Sequence, residues 1–138
     1  CKMSFGNTTE TDVLAKLFNN TALSWDANTN LYLALHTADP GEGGSQTTSE
    51  ATYTSYARIA VARTSGGFTV SGAVLSNAAL AQFPQATGGS NTITHVSIGT
   101  ASSGAGQILV SGALNSSLAV SNLIQPQFAI GALTFTLD

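Results

Sequence analysis

Apolar residues first recur at helical spacing between residues 13 and 18. Four of them share one face of a helix: Val13, Leu14, Leu17 and Phe18. Thr9 precedes this stripe, and the acidic residues of the Thr-Glu-Thr-Asp segment at 9–12 lie where a capping box and the positive end of the helix dipole favour them. Asn19 and Asn20 follow the stripe. The pattern therefore predicts a helix over residues 9–19 with Thr9 as its N-cap, too short to be stable without packing.

After residue 30 the apolar period changes from 3.6 to 2. In the first predicted strand, Leu31, Leu33 and Leu35 point to one face and the intervening residues to the other. From residue 56 onward, short apolar or alternating runs are separated by Gly-rich turns, and Ser71-Gly72 is typical of a hairpin turn. The predicted strands are 31–37, 58–63, 68–70, 73–75, 80–83, 93–98, 108–111, 127–130 and 133–137.

A chain of 138 residues has room for one domain. We therefore predict a single, mostly β domain over residues 1–138: an antiparallel β sandwich or jelly-roll-like fold with one short N-terminal helix. Residues 1–8 are expected to form a flexible N-terminal arm whose first six residues can be removed without loss of the fold. Residues 38–52 form a long loop, rich in Gly and polar residues, and such length is typical of functional or partner-ordered loops.

Charged residues make up only 8% of the chain, against about 25% in an average soluble protein. Such a surface is poorly protected against self-association, so we expect a homodimer or homotrimer. The net charge is −3, and the four cations are scattered along the sequence, which argues against a nucleic-acid partner. No run of about 18 apolar residues is present, so we expect no membrane partner.

Candidate catalytic and metal-binding groups are few. No serine lies in a Gly-x-Ser-x-Gly elbow, and the Gly-rich loop at 99–106 lacks the Gly-Lys-Ser/Thr ending of a phosphate loop. His36, His95 and either Asp39 or Asp138 could form a facial metal triad. Both histidines, however, lie within predicted strands and without metal-ligand spacing, which favours ordinary structural roles. We therefore predict no enzymatic activity, no cofactor, no metal and no small-molecule substrate, and keep a hydrolase only as a control hypothesis.

Aromatic and long apolar side chains near the arm and the long loop are the candidate partner-binding residues. Met3 and Phe5 lie in the predicted arm, while Tyr53 and Tyr56 border the loop. Tyr and other large apolar residues are enriched at protein interfaces. Ordinary core positions for the tyrosines and a frayed terminus for the arm are the alternatives that the sequence leaves open.

Several segments resemble a family of small virion structural proteins of tailed phages. They are LYLALHTADPGE at 31–42, YTSYARIAVAR at 53–63, THVSIGT at 94–100 and QFAIGALTF at 127–135. The resemblance extends from about residue 4 to the end of the chain. Members of the family are labelled as tail-fibre, head-decoration or structural proteins, and some resemble the cement proteins that clamp phage capsids.

The resemblance implies a structural protein of the virion. The first expectation is a capsid cement or decoration protein on the outer capsid surface, which binds the major capsid protein and other copies of itself and stabilises the assembled head. Because it binds only the assembled shell, it would act by mass action. The alternative is a phage tail or tail-fibre subunit with a host receptor- or glycan-binding role.

Overall fold

The computed structural model describes residues 1–137, which contain one helix and ten strands. In chain order the elements are β1 (Lys2–Phe5), α1 (Asn7–Asn19), β2 (Asn30–His36), β3 (Ile59–Ala62), β4 (Phe68–Ser71), β5 (Val74–Asn77), β6 (Ala81–Gln82), β7 (Asn91–Gly99), β8 (Ile108–Val120), β9 (Gln127–Phe128) and β10 (Thr134–Thr136).

Eight strands form one large, nearly closed sheet, and β6 and β9 form a separate pair. The order in the large sheet is β3-β2-β7-β8-β1-β10-β5-β4. The predicted mostly β fold with one short helix is confirmed, and the sheet is consistent with a sandwich or barrel-like architecture. The pairing is antiparallel except between β1 and β10, which run parallel.

Each strand after residue 30 lies where the apolar pattern predicts one, although several differ in length. The β4–β5 hairpin turns at Gly72, whose φ of 60° is a backbone conformation that glycine adopts at little cost. β8 extends to Val120, nine residues beyond the predicted end, because its pairing with β7 continues past a bulge between Ile93 and His95. The polar residues of this extension hide it from an apolar pattern.

One cluster of buried apolar side chains forms the core. Leu31, Leu33 and Leu35 all belong to it, as their alternation predicts. Phe83 is fully buried, and its ring centroid lies 6.4 Å from that of Tyr56 and 6.3 Å from that of Phe128. The small β6–β9 pair is thereby attached to the main core.

The predicted flexible arm over residues 1–8 is wrong. Residues 2–5 form β1, which pairs with β8 on one side and with β10 on the other. Met3 is buried, and the Phe5 ring lies 4.5 Å from the Phe135 ring between centroids. The sequence offers too short an alternation here to distinguish a strand from a frayed terminus, and only the tertiary pairing decides it.

Helix α1 begins two residues earlier than predicted. Its N-cap is Gly6, in extended conformation and without a side-chain cap, so the prediction of Thr9 as N-cap is wrong. Thr9 is instead buried within the first turn, where its hydroxyl donates to the carbonyl oxygen of Ile108 at 3.0 Å. The C-terminus lies as predicted at Asn19, followed by Asn20 in a left-handed conformation.

Candidate functional surface

The predicted partner-binding residues do not form an exposed surface. Met3 is 4% and Tyr53 2% exposed, while Phe5 and Tyr56 are partly buried and pack against the core. A partner cannot reach buried side chains without unfolding part of the sheet. The prediction that Met3 and Tyr53 contact a partner is therefore wrong. Phe5 and Tyr56 serve mainly the interior of the protein.

The two tyrosines attach the segment after the long loop to the sheet. The Tyr53 hydroxyl donates to the Pro84 carbonyl at 2.9 Å. The Tyr56 hydroxyl accepts from the Leu35 amide at 3.1 Å and donates to Glu50 Oε2 at 2.9 Å. Burial beside the Glu50 carboxylate raises the pKa of Tyr56 far above its ordinary value, so the phenol stays protonated.

A buried ion pair stands at the centre of these contacts. Arg58 Nε and Nη2 donate to the two carboxylate oxygens of Glu50 at 2.6 and 2.9 Å, and the two side chains are only 3% and 17% exposed. The same guanidinium donates to the carbonyl oxygens of Ala101 and Gly104 at 2.9 and 2.7 Å. Arg58 thus ties the end of the long loop to the β7–β8 connection.

Gln46 fixes the middle of the long loop. Its side chain is fully buried, and its Oε1 accepts from the Ala101 amide at 2.9 Å. It fills a slot in which a Cβ at Gly99 or Gly106 would overlap its amide group. The loop at 38–52 is therefore ordered by contacts within the chain.

His36 and Ser97 form a buried pair that resembles the base and nucleophile of a hydrolase. His36 Nδ1 lies 2.8 Å from the Thr48 carbonyl oxygen, and Nε2 lies 2.8 Å from Ser97 Oγ. Since a carbonyl can only accept, Nδ1 carries the proton and Nε2 accepts from the serine hydroxyl. Both residues are fully buried, and a carbonyl replaces the orienting carboxylate of a triad. The geometry supports a structural role for the pair.

Burial lowers the pKa of His36 below 6.5, and this outweighs the hydrogen bond to Thr48 and the Glu50 charge, which raise it. His95 and Arg58 lower it further. The folded protein therefore holds His36 neutral at a pH where the unfolded chain binds a proton. Stability from this group is complete above pH 6.5 and is lost as the pH falls below that value.

We expect acidification from pH 7.5 to 5.5 to lower the free energy of unfolding, with a contribution from His36 of at most about 1.4 kcal/mol per pH unit. Urea titrations at both pH values should show a smaller loss for His36→Gln than for the wild type. His95→Gln is the matched control and should keep most of the loss. Equal pH dependence in His36→Gln and the wild type would contradict the assignment.

The facial metal triad, which sequence analysis considered and did not favour, is not assembled in the described part of the chain. Both ring nitrogens of His36 are bonded within the protein, and Nδ1 of His95 lies 2.8 Å from Thr94 Oγ1. No group of three or more His, Cys, Asp or Glu side chains within residues 1–137 could hold a metal ion. Asp138, the alternative third member of the triad, lies outside the described residues.

The prominent surface feature is an apolar groove of about 690 Å³ between helix α1 and the β4–β5 hairpin. Leu17 forms part of its wall on the helix side, and Val70 and Val74 form part of it on the hairpin side. Trp25 and Phe135 also line it. We call this feature the α1 groove.

Charged residues lie at the Trp25 end of the α1 groove and are paired with one another. The guanidinium of Arg63 lies 4.8 Å from the centre of the Trp25 ring and 3.2 Å from Asp26 Oδ1. Lys16 Nζ lies 3.7 Å from the other oxygen of Asp26. The three charged side chains together carry one net positive charge, so the groove is an apolar surface with a weakly positive end.

Helix α1 turns most of its apolar stripe away from the core. Leu14, Leu17 and Phe18 are 60, 68 and 79% exposed, and Thr9 is the buried residue of the helix. The apolar stripe of the helix was predicted correctly, but most of it does not pack on the sheet of the same chain. Sequence analysis missed this surface because periodicity shows that a face is apolar and does not show what covers it. Within residues 1–137 no helix has both the length and the apolar character of a membrane span.

Comparison with protein families gives one match over nearly the whole chain. The family model described as "Podophage GP4 fiber I protein gp80" matches residues 4–136. The match confirms the predicted class, a structural protein of the phage virion, and the family's printed name is that of a fibre protein. A search of curated proteins found no match.

Proposed function

This chain belongs to the podophage GP4 fiber I protein gp80 family, and from that premise we propose that it is a structural subunit of a podophage fibre. The observation that carries the proposal is the family match, which covers residues 4–136. The subunit acts by being built into the particle through protein–protein contacts.

The α1 groove and the exposed stripe of helix α1 support this role. Monomeric soluble proteins rarely expose apolar patches larger than a few hundred Å², and larger patches mark interaction sites. Leu14, Leu17 and Phe18 on the helix and Val70 on the hairpin are each at least 60% exposed. A fibre subunit needs such surfaces to contact its neighbours in the particle.

The proposed function is not enzymatic. The Ser97 hydroxyl, which has a histidine partner, is fully buried, and its partner His36 is oriented by a backbone carbonyl. A general base must reach the proton that it removes in a bound substrate, and a sealed pair cannot. The proposed subunit therefore contributes binding and rigidity to the virion.

A capsid cement protein is the competing assignment, and copy number separates the two. Quantitative mass spectrometry of purified virions should give a small number of copies that is a multiple of the tail's rotational symmetry. Antibody against this chain should label tail fractions after heads and tails have been separated, with the major capsid protein as the control for head carry-over. Copies comparable in number to the major capsid protein, with label on the heads, would overturn the fibre assignment in favour of cement.

A further inference from the structure

We propose that the α1 groove and the apolar stripe of α1 (Leu14, Leu17 and Phe18) together form a self-association surface, occupied by a second copy of this chain. The inference concerns which residues join two copies, and it holds whether those copies lie in a fibre or on a head. It starts from the way in which the helix is attached to its own chain.

Helix α1 is fastened at its N-terminal half by polar contacts. Gln107 Nε2 donates to Thr9 Oγ1 at 3.1 Å and to Asp12 Oδ2 at 2.9 Å, and Trp25 Nε1 donates to the same carboxylate oxygen at 3.4 Å. The C-terminal half carries the exposed stripe. An isolated helix of 13 residues is marginal in water and obtains its stability from packing of its apolar face. A partner over the stripe provides that packing.

The area of the surface agrees with that of a specific interface. Six large side chains on the helix, on the hairpin and just after β10 contribute their exposed parts: Leu14, Leu17, Phe18, Val70, Val74 and Leu137. Together they would remove apolar area on the order of 600 Å² per copy, and about 1,200 Å² for two copies reaches the lower bound of specific interfaces. Burial of that area stabilises association through the hydrophobic effect.

The surface is apolar and carries little charge, which suits contact with a second copy of this chain. Leu17 belongs to both the stripe and the α1 groove, so the two features are adjacent on the helix and one contact between two copies can cover both. Asp26 is shared between Lys16 and Arg63, so the groove end keeps one positive charge, opposite in sign to the net charge of −3 on a second copy. A chain with a net charge of −3 repels its own copy only weakly.

Light scattering after size exclusion tests the proposal on the whole chain. At about 100 µM, above the micromolar dissociation constants at the weak end of such interfaces, the wild type should have a mass of two or more times 14.0 kDa. The Leu14→Lys/Leu17→Lys double variant should return to 14.0 kDa with an unchanged circular dichroism spectrum, since Lys and Leu have similar helix propensity. Leu123→Lys is the matched control, because Leu123 is 69% exposed against 68% for Leu17 and is not part of the α1 groove.

A second measurement needs no substitution. Trp25 is the only tryptophan in the sequence and lines the groove, so dilution of the wild type should shift its fluorescence to longer wavelength as the copies separate. Three results would each overturn the proposal: a wild-type mass of 14.0 kDa with emission independent of concentration, an oligomer that survives the folded double variant, or equal dissociation in Leu123→Lys.

Discussion

Replacement of Arg58 by methionine is expected to lower the free energy of unfolding by about 3–5 kcal/mol. The substitution keeps the length of the aliphatic chain but removes both hydrogen bonds to Glu50 and those to the carbonyl oxygens of Ala101 and Gly104. The Glu50 carboxylate is then left in a mostly buried position without its counter-ion. Urea denaturation followed by circular dichroism measures the loss.

Arg63→Met is the matched control for this prediction. Arg63 also pairs with an acidic residue, Asp26, but the two side chains are 30 and 45% exposed, so the loss should be about 1 kcal/mol or less. Adding Glu50→Gln to Arg58→Met should restore part of the loss, because the unpaired buried charge disappears. The two arginine variants could lose similar free energies of unfolding, or Glu50→Gln could restore none of the loss. Either result would show that burial does not determine how much the Glu50–Arg58 pair contributes to stability.

The contrast between these arginines shows where sequence analysis reaches its limit. Both residues flank the same predicted strand, Arg58 at its start and Arg63 at its end, and the alternation between them was found correctly as β3. Only the folded chain brings Glu50 and the carbonyl groups of the β7–β8 connection onto Arg58. Local periodicity carries no information about such contacts, and those with the carbonyl groups of Ala101 and Gly104 join segments more than forty residues apart in the chain.

The strands could be predicted because the alternation of apolar and polar residues within each strand is visible in the sequence. Leu31, Leu33 and Leu35 alternate so regularly that one period assigns both the strand and its core face. The opposite face was not predictable, since Ala34 and His36 are also buried, and His36 is held by the Thr48 carbonyl of the long loop. Alternation predicts which residues share a face and not whether that face meets solvent.

The candidate surface shows that an apolar pattern also does not tell which apolar residues are exposed. The stripe of α1 was found from spacing alone, but spacing did not show that Leu14, Leu17 and Phe18 face outward. The low charged fraction was the sequence signal for association, and it could not locate the surface. Composition can indicate that a protein associates, and only the fold shows with which residues.

Removal of residues 1–6 is expected to abolish the fold, the opposite of what an arm would imply. β1 is the only strand that connects β8 to β10 in the sheet order, so its loss separates the β10-β5-β4 unit from the other four strands. The truncation also removes buried Met3, worth about 1.5–3 kcal/mol, and the contact between Phe5 and Phe135. The truncation also removes the backbone hydrogen bonds of β1 to β8 and β10. The combined loss is comparable to the whole free energy of unfolding of a typical protein, about 5–15 kcal/mol. Circular dichroism and amide NMR dispersion of the truncated protein measure it.

A point substitution tests the same docking of β1 with the chain at full length. A Cβ at Gly112 in β8 would overlap the carbonyl oxygen of Lys2 and lie 2.9 Å from the Met3 Cα, so Gly112→Val should force β1 away from β8 and lower the midpoint of thermal unfolding strongly. Gly66→Ala is the matched control, because its Cβ would meet only Thr64 Oγ1 at an ordinary 3.6 Å. If the truncated protein keeps native dispersion and Gly112→Val melts like Gly66→Ala, β1 is dispensable and the sheet holds together through the core alone.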